Sequence, residues 1–366
     1  PAAALPRRAP RGRGRLSARA VGAAAALALA VAACGERLTG GQARVLVPPG
    51  ASVAQVAESL RAHRLIEHPR VFRLLARAKG VDRSLKAGLY AMPVGASMAT
   101  LLRILREGRT VTVKVTIPEG LMLGEMAELV ERELGLPADS FLAAAGDSGL
   151  RARVGAMAPT LEGFLRPETY VLPAEISARG LVRVLAEGFH EGWQAGWDAR
   201  LLQLGLSRAE LVTLASIVEK EAVVPSERPV IAGVYLNRIR QGMPLQADPT
   251  VQYAMARETG RWKGRLLLRD YKYASPYNTY LIRGLPPGPI CSPGMQTIEA
   301  TLFAADVPWL FFVARADGRH QFSRTYREHL RAIAESRRER DSLARLPRDT
   351  VAGAPLRAPA GTASTQ

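Results

Sequence analysis

The chain has 366 residues, 48% of them apolar, with 50 Lys and Arg against 33 Asp and Glu for a formal net charge of +17. Only Cys34 and Cys291 are present, and Cys34 sits in an apolar N-terminal stretch, so no internal disulfide staples the fold and stability must come from buried cores. The charge does not mark a nucleic-acid binder. Six Arg lie before the apolar stretch, and the rest are scattered without a zinc-finger, glycine-rich or aromatic-basic motif, so attraction to an anionic membrane face or an acidic wall polymer accounts for the excess.

In chain order, residues 1–19 form a basic flank with Arg7, Arg8, Arg11, Arg13, Arg15 and Arg19, and residues 20–38 an anchor or signal segment whose apolar run extends from Ala20 to Cys34. A basic flank before such a run keeps the Arg side in the cytoplasm and sends the bulk of the chain outside. The run is short for a spanning helix, which needs about 20 residues. Val31, Ala32, Ala33, Cys34 also matches a lipoprotein signal in which Cys34 is acylated.

A repeat follows. Val47, Pro48, Gly50, Val53, Val56, Ala57, Glu58 and Leu60 recur as Ile117, Pro118, Gly120, Leu123, Met126, Ala127, Glu128 and Val130. Each copy predicts a strand, a turn and an amphipathic helix, small units that cannot bury a face alone. Residues 86–109 repeat the pattern. The first module spans 43–110, and beyond Phe72 and Tyr90 it has no aromatic cluster to serve as a sugar platform, leaving a glycan-binding role and a spacer role both open. Residues 111–206 form a connecting βα and helical region, helical by pattern from 140 onward, in which Trp193 and Trp197 at i,i+4 are core residues.

The region 207–335 carries the chemistry. Ser207 and Glu210 form a capping box, and Leu211, Leu214, Ala215, Val218 and Ala222 follow at helical spacing as one buried face. The run ends LASIVEKE, residues 214–221. At about 100° per residue, Glu221 falls roughly 60° from the centre of that face and Glu219 roughly 100° away on the other flank. The carboxyl nearer apolar surroundings loses more solvation when ionised and holds its proton better, as a general acid must. Glu221 is therefore the candidate catalytic acid. The alternative is that both glutamates form only the solvated end of a surface helix.

Further on come Asn237 and Arg238, then Gln246, Asp248, Pro249 and Thr250, then Tyr277, Asn278, Thr279 and Tyr280, GLPPGPI at 284–290, Ser292, Pro293 and Gly294, FFVA at 311–314, and HQFSRTYREH from His320 to His329. This ordered set, with the EKE helix, resembles the endolytic murein transglycosylase family (MltG, or YceG-like) over most of residues 43–335. The resemblance implies an α+β fold, with a small LysM-like βα module before a mixed α+β catalytic domain and after one N-terminal membrane segment. It also implies non-hydrolytic cleavage between N-acetylmuramic acid and N-acetylglucosamine within a glycan strand, leaving a 1,6-anhydro end. No cofactor or metal is called for. His320 and His329 lack the Cys or acidic partners of a metal site. The implied setting is the cell inner membrane, single-pass, with peptidoglycan strands as substrate and peptidoglycan synthases as partners.

By matching positions, Glu221 takes the catalytic role. Glu219, Asn237, Gln246, Asp248, Thr250, Tyr277, Asn278 and Tyr280 are candidates for the sugar cleft, although Asp248 before Pro249 also suits a turn and Asn237 a cap. The stretch 285–289 is expected to be a rigid wall. The sequence departs from the family pattern at Ala222, where Thr is common, and at Arg166 and Glu168, which leaves the roles of Glu162 and Glu168 open. Two other functions compete: a muramidase that uses water and leaves reducing ends, and a non-catalytic wall-binding protein. Residues 346–366, rich in Ala, Pro, Thr and Arg without periodicity, are expected to be a disordered tail.

Overall fold

The structure is a computed structural model that describes residues 40–81 and 85–344. The basic flank, the apolar run with Cys34 and the tail at 346–366 lie outside the described residues. Two compact units emerge, one reaching Thr112 and including Pro173–Glu175, the other comprising Val113–Leu172 and the chain from Ile176 onward. Helices and short two-stranded sheets are mixed throughout, an α+β architecture.

In the first unit, β1 (Gln42–Val47) pairs antiparallel with β2 (Gly88–Pro93), in register from Gln42 opposite Pro93 to Val47 opposite Gly88. Helices Val53–Ala62 and Pro69–Ala78 lie between the strands in sequence, and Met98–Glu107 follows β2. The repeated signature has a physical basis. Pro48 follows β1 and Pro93 is the last residue of β2; a Gly then takes the left-handed conformation (Gly50 at φ 73°, Gly95 at φ 82°), and Ser52 or Ser97 accepts a backbone N–H to start the helix. Val45, Leu60, Phe72, Tyr90 and Leu101 close the core. Phe72 and Tyr90 are fully buried, and the Tyr90 hydroxyl donates to the Lys86 carbonyl, so neither offers a face to a sugar.

The second unit opens the same way, with β3 (Thr112–Thr116), Gly120 at φ 78° and helix Leu123–Leu134. Its partner strand was not foreseen. Thr169–Pro173, inside the stretch expected to be helical, forms β4 and pairs with β3, the Ile117 N–H donating to the Glu168 carbonyl at 2.9 Å. Five residues are too few for a period of two to stand out against flanking helices. The expected division at 206/207 is not a structural one either: Phe141, Phe164, Leu185, Phe189 and Trp197 share a core with Leu211, Val212, Ala215 and Ile298. Trp193 and Trp197 pack edge to face at 5.1 Å in or against that core, as expected.

Helix Arg208–Glu221 starts on its capping box, Ser207 N–H donating to Glu210 and Glu210 N–H to the Ser207 hydroxyl. It is not amphipathic. Every residue from Leu211 to Val218 is buried, because Leu211, Val212 and Ala215 face one core while Leu214, Ile217 and Val218 face a second containing Ile231, Tyr235, Tyr253 and Ile290. Thr213 and Ser216, polar by type, satisfy themselves internally: their hydroxyls donate to the Ala209 and Thr213 carbonyls at 2.7 Å, and the Ser216 oxygen accepts the Ile290 N–H at 3.0 Å. That last bond ties the proline-rich segment 285–290 to the helix. Beyond it, β5 (Phe311–Ala314) and β6 (His320–Ser323) form an antiparallel hairpin covered by helix Tyr326–Ala344, whose Ser336 hydroxyl donates to the Ala314 carbonyl.

Helix Arg228–Arg240 approaches the segment after Leu302 so closely that a Cβ on Gly233 would stand 2.4 Å from the Ala305 carbonyl oxygen. That contact is with backbone, which cannot swing aside. Gly233→Ala is expected to lower stability by about 1–3 kcal/mol, read as a reduced denaturant midpoint, despite the higher helix propensity of Ala.

Candidate active site

Helix Arg208–Glu221 ends at a cleft of about 290 Å³, and Glu221 lines it. The opposing walls come from helix Arg228–Arg240 (Tyr235, Arg238), the start of helix Asp248–Thr259 (Asp248), the β5–β6 hairpin (Phe312, His320) and helix Tyr326–Ala344. Tyr235, 14 residues on and in the next α-helix, donates its hydroxyl to Glu221 Oε1 at 3.0 Å, and its ring meets Phe312 edge to face at 5.6 Å. Glu221 keeps part of its surface in the cleft while protein crowds its carboxyl on the other sides. Burial, with the Asp248 charge adding to it, pushes the carboxyl up to about 8; the Tyr235 hydrogen bond and the Arg238 charge oppose the rise. Glu221 therefore carries its proton at neutral pH.

Glu219, two residues earlier, is also well buried, at 9% exposure of its side chain, so burial alone does not separate the two. Their partners do. Glu219 Oε2 accepts the Gly294 N–H at 3.2 Å and the Thr297 hydroxyl, and the Arg228 guanidinium stands 3.6 Å away. The carboxylate thus caps helix Met295–Leu302 from another segment, where N–H donors and the helix dipole favour negative charge. It does not line the cleft.

Of the other residues singled out in the sequence, three reach the cleft. Gln246 lines it from a left-handed backbone (φ 50°), a strained state for a non-glycine residue that the Gln246 N–H to Thr279 carbonyl bond helps hold. Asp248 lines it with its oxygens accepting the hydroxyls of Tyr280 (2.6 Å) and Tyr271 (3.3 Å), and Tyr280 joins it there. The remaining four hold loops. Asn237 donates to the Val307 and Trp309 carbonyls, Thr250 shares a 2.8 Å bond with Thr279, and Asn278 donates to the Tyr271 and Tyr273 carbonyls. Tyr277 packs on Tyr253 at 5.0 Å under the Arg257 guanidinium.

Among the cleft residues not named as site candidates from the sequence are Tyr235, Arg238, His320, His329 and Arg340. Arg238 stood only in the ordered motif set, and His320 and His329 were considered as a metal pair or a base. His320 instead bonds through Nδ1 to Glu227 at 2.7 Å. The one available signal was their place in the ordered motifs, since Tyr235 and Arg238 flank Asn237. Glu162 lies outside the cleft: burial pushes its carboxyl up to about 7, countered by the Leu123 N–H and the Tyr253 hydroxyl.

Two predictions separate these carboxyls. Activity that needs protonated Glu221 falls as pH rises through about 8. Asp248→Asn removes an anion that raises Glu221, so the alkaline limb of the pH–rate profile should move to lower pH. Glu219→Gln should leave that limb in place but cost about 1–3 kcal/mol of stability through the weakened cap and lost pairing, measured by thermal or denaturant unfolding.

The YceG-like family model matches residues 45–335. A Bacillus subtilis protein named endolytic murein transglycosylase is 30% identical over 302 residues, covering 78% of this chain and 82% of that protein. A Streptococcus pneumoniae protein of the same name is 30% identical over 321 residues, 79% of this chain but 57% of that longer protein. The crystal structure of a yceG-like protein from Listeria monocytogenes superposes with a TM-score of 0.54 at 29% identity, covering 79% of this chain and 98% of that one. On these matches, which span most of the described residues, the chain belongs to the YceG-like family.

Proposed function

We propose that this protein is a lytic transglycosylase that cuts peptidoglycan glycan strands internally. The observation that carries the reading is the Glu221 carboxyl, kept protonated near neutral pH in the wall of an open cleft. The names of the Bacillus and Streptococcus relatives supply the substrate class. Glu221 gives its proton to the oxygen between the muramoyl and glucosaminyl units as that bond breaks. The 6-hydroxyl of the muramoyl unit attacks the anomeric carbon, and its proton returns to the Glu221 carboxylate, leaving a 1,6-anhydro end. Tyr235 holds Oε1, leaving Oε2 as the working oxygen, and with Arg238 it steadies the carboxylate between the two proton transfers.

A second reading rests on Asp248, a carboxylate in the same cleft. Hydrolytic glycosidases use such a partner to activate water or form a covalent intermediate, which would make this a muramidase. Both readings require Glu221. Glu221→Gln should cost about 10² to 10⁴ in cleavage rate in a protein that remains folded. Mass spectrometry of muropeptides released from purified sacculi then separates them: anhydro ends support the transglycosylase, and reducing ends, with loss of cleavage in Asp248→Asn, the muramidase.

We further propose that the N-terminal Arg-rich flank and apolar run hold the catalytic part outside the cytoplasmic membrane, near peptidoglycan synthases whose nascent strands it terminates. The strand–helix–helix–strand order of the first unit suits a LysM-like module that places the enzyme on glycan. Cys34→Ser decides the anchor. Unchanged membrane attachment with no acyl mass on wild-type Cys34 identifies a spanning helix, whereas a lipid-sized mass there identifies a lipoprotein.

A further inference from the structure

One flank of the cleft carries more positive charge than the transient Glu221 carboxylate calls for. Arg238 is 7% exposed, yet its guanidinium bonds only to neutral oxygens: Nε donates to the Leu310 carbonyl at 2.7 Å, and Nη1 to the Leu245 carbonyl at 2.7 Å and the Pro244 carbonyl at 3.4 Å. It lies over the Phe311 ring at 5.1 Å. Among the described residues no carboxylate comes within ion-pair distance of it. Glu221 is in electrostatic reach but carries a proton at neutral pH, and Asp248 is engaged by Tyr280 and Tyr271.

A buried cation without a counter-charge is costly, and folds rarely keep one that has no ligand. Two neighbours extend the same flank. His329 stacks on the other contact of Phe311, ring centres 5.3 Å apart and 22° from parallel, and its Nδ1 is buried without a hydrogen-bond partner. Arg340, part-exposed on helix Tyr326–Ala344, lines the cleft as well. Two guanidiniums and an unsatisfied ring nitrogen around an aromatic floor suit a carboxylate, which a guanidinium binds through paired N–H donors.

We infer that this flank, formed by Arg238, His329, Arg340 and Phe311, is an anion subsite that takes a carboxylate carried by the muramoyl unit of the glycan. The inference rests on the proposed glycan substrate. On such a strand the carboxylate has two sources: the lactyl group at C3, free where no peptide is attached, or the acidic amino acids of an attached stem peptide. A glucosaminyl unit carries neither. The subsite would therefore set which of the two alternating sugars lies on each side of Glu221.

The test measures binding to full-length protein carrying Glu221→Gln, so that no cleavage intervenes. Three oligosaccharides of equal length serve as probes: peptide-free glucosaminyl–muramoyl oligomers, the same oligomers with stem peptides, and oligomers of N-acetylglucosamine alone. At least one muramoyl probe should bind tenfold or more tighter than the glucosamine oligomer. Preference for the peptide-free probe assigns the lactyl carboxylate, and preference for the other assigns the peptide. Adding Arg238→Gln should erase that preference, and Arg238→Lys should restore part of it. Because Arg238 also ties down three carbonyls, Arg340→Gln provides an independent arm, with an expected threefold loss confined to the muramoyl probes and shrinking at high salt. Equal affinity for all three probes in the parent protein, or equal loss on all three in a folded Arg340→Gln variant, overturns the subsite while leaving glycan binding in place. Absence of binding to every probe, with no cleavage by the protein retaining Glu221, overturns the glycan reading and the subsite together.

Discussion

The desolvation of one carboxyl at the end of a helix governs the rest of this site. Helix Arg208–Glu221 runs between two apolar cores and leaves them only at its last turn, so Glu221 emerges where protein still surrounds its carboxyl but a cleft has opened beside it. Water cannot solvate the anion well there, and a single phenol does not replace what water would supply. The proton stays on as a consequence of packing.

Glu219 is the internal control that the fold provides. It sits on the same turn and is as well buried, but a backbone N–H, a hydroxyl and a guanidinium surround its carboxylate. One glutamate is thus a counter-charge that fastens helix Met295–Leu302, and the other is a carboxyl held protonated at the cleft. The difference lies in the partners that distant segments deliver, since propensity and helix position are nearly the same for both.

The polar residues around the cleft divide by the same logic. Asn237, Thr250 and Asn278 are short side chains of the kind that bind sugars, yet the segments around them need their carbonyls and hydroxyls satisfied, and they are spent there. They shape the cleft by fixing the loops that carry Gln246, Asp248 and Tyr280 into it. Arg238 combines both duties, bracing the carbonyls of two segments while placing an uncompensated charge at the cleft wall.

Local physics made much of the fold legible in the sequence. The Pro-then-Gly signature after β1 and β3 and the Ser207–Glu210 box depend on residues a few positions apart, and both formed where expected; the Ser52 and Ser97 caps obey the same local rule. The angle of Glu221 from an apolar stripe is a local quantity too, but the helix is buried all round from Leu211 to Val218, so that angle does not distinguish Glu221 from Glu219. Whatever depended on a distant partner was not legible. β4 exists because β3 is there to pair with it; Thr213 and Ser216 are interior because two cores close on both sides of one helix; and Tyr235, Arg238 and the His329–Phe311 stack join the site only when helix Arg228–Arg240 and the terminal helix fold against the hairpin. By itself the sequence determined the turns and the helix starts, through steric and hydrogen-bonding demands spanning a few residues. Only the tertiary structure decided which carboxyl loses its solvent and which cations face it, because burial and charge pairing are properties of what distant segments bring together.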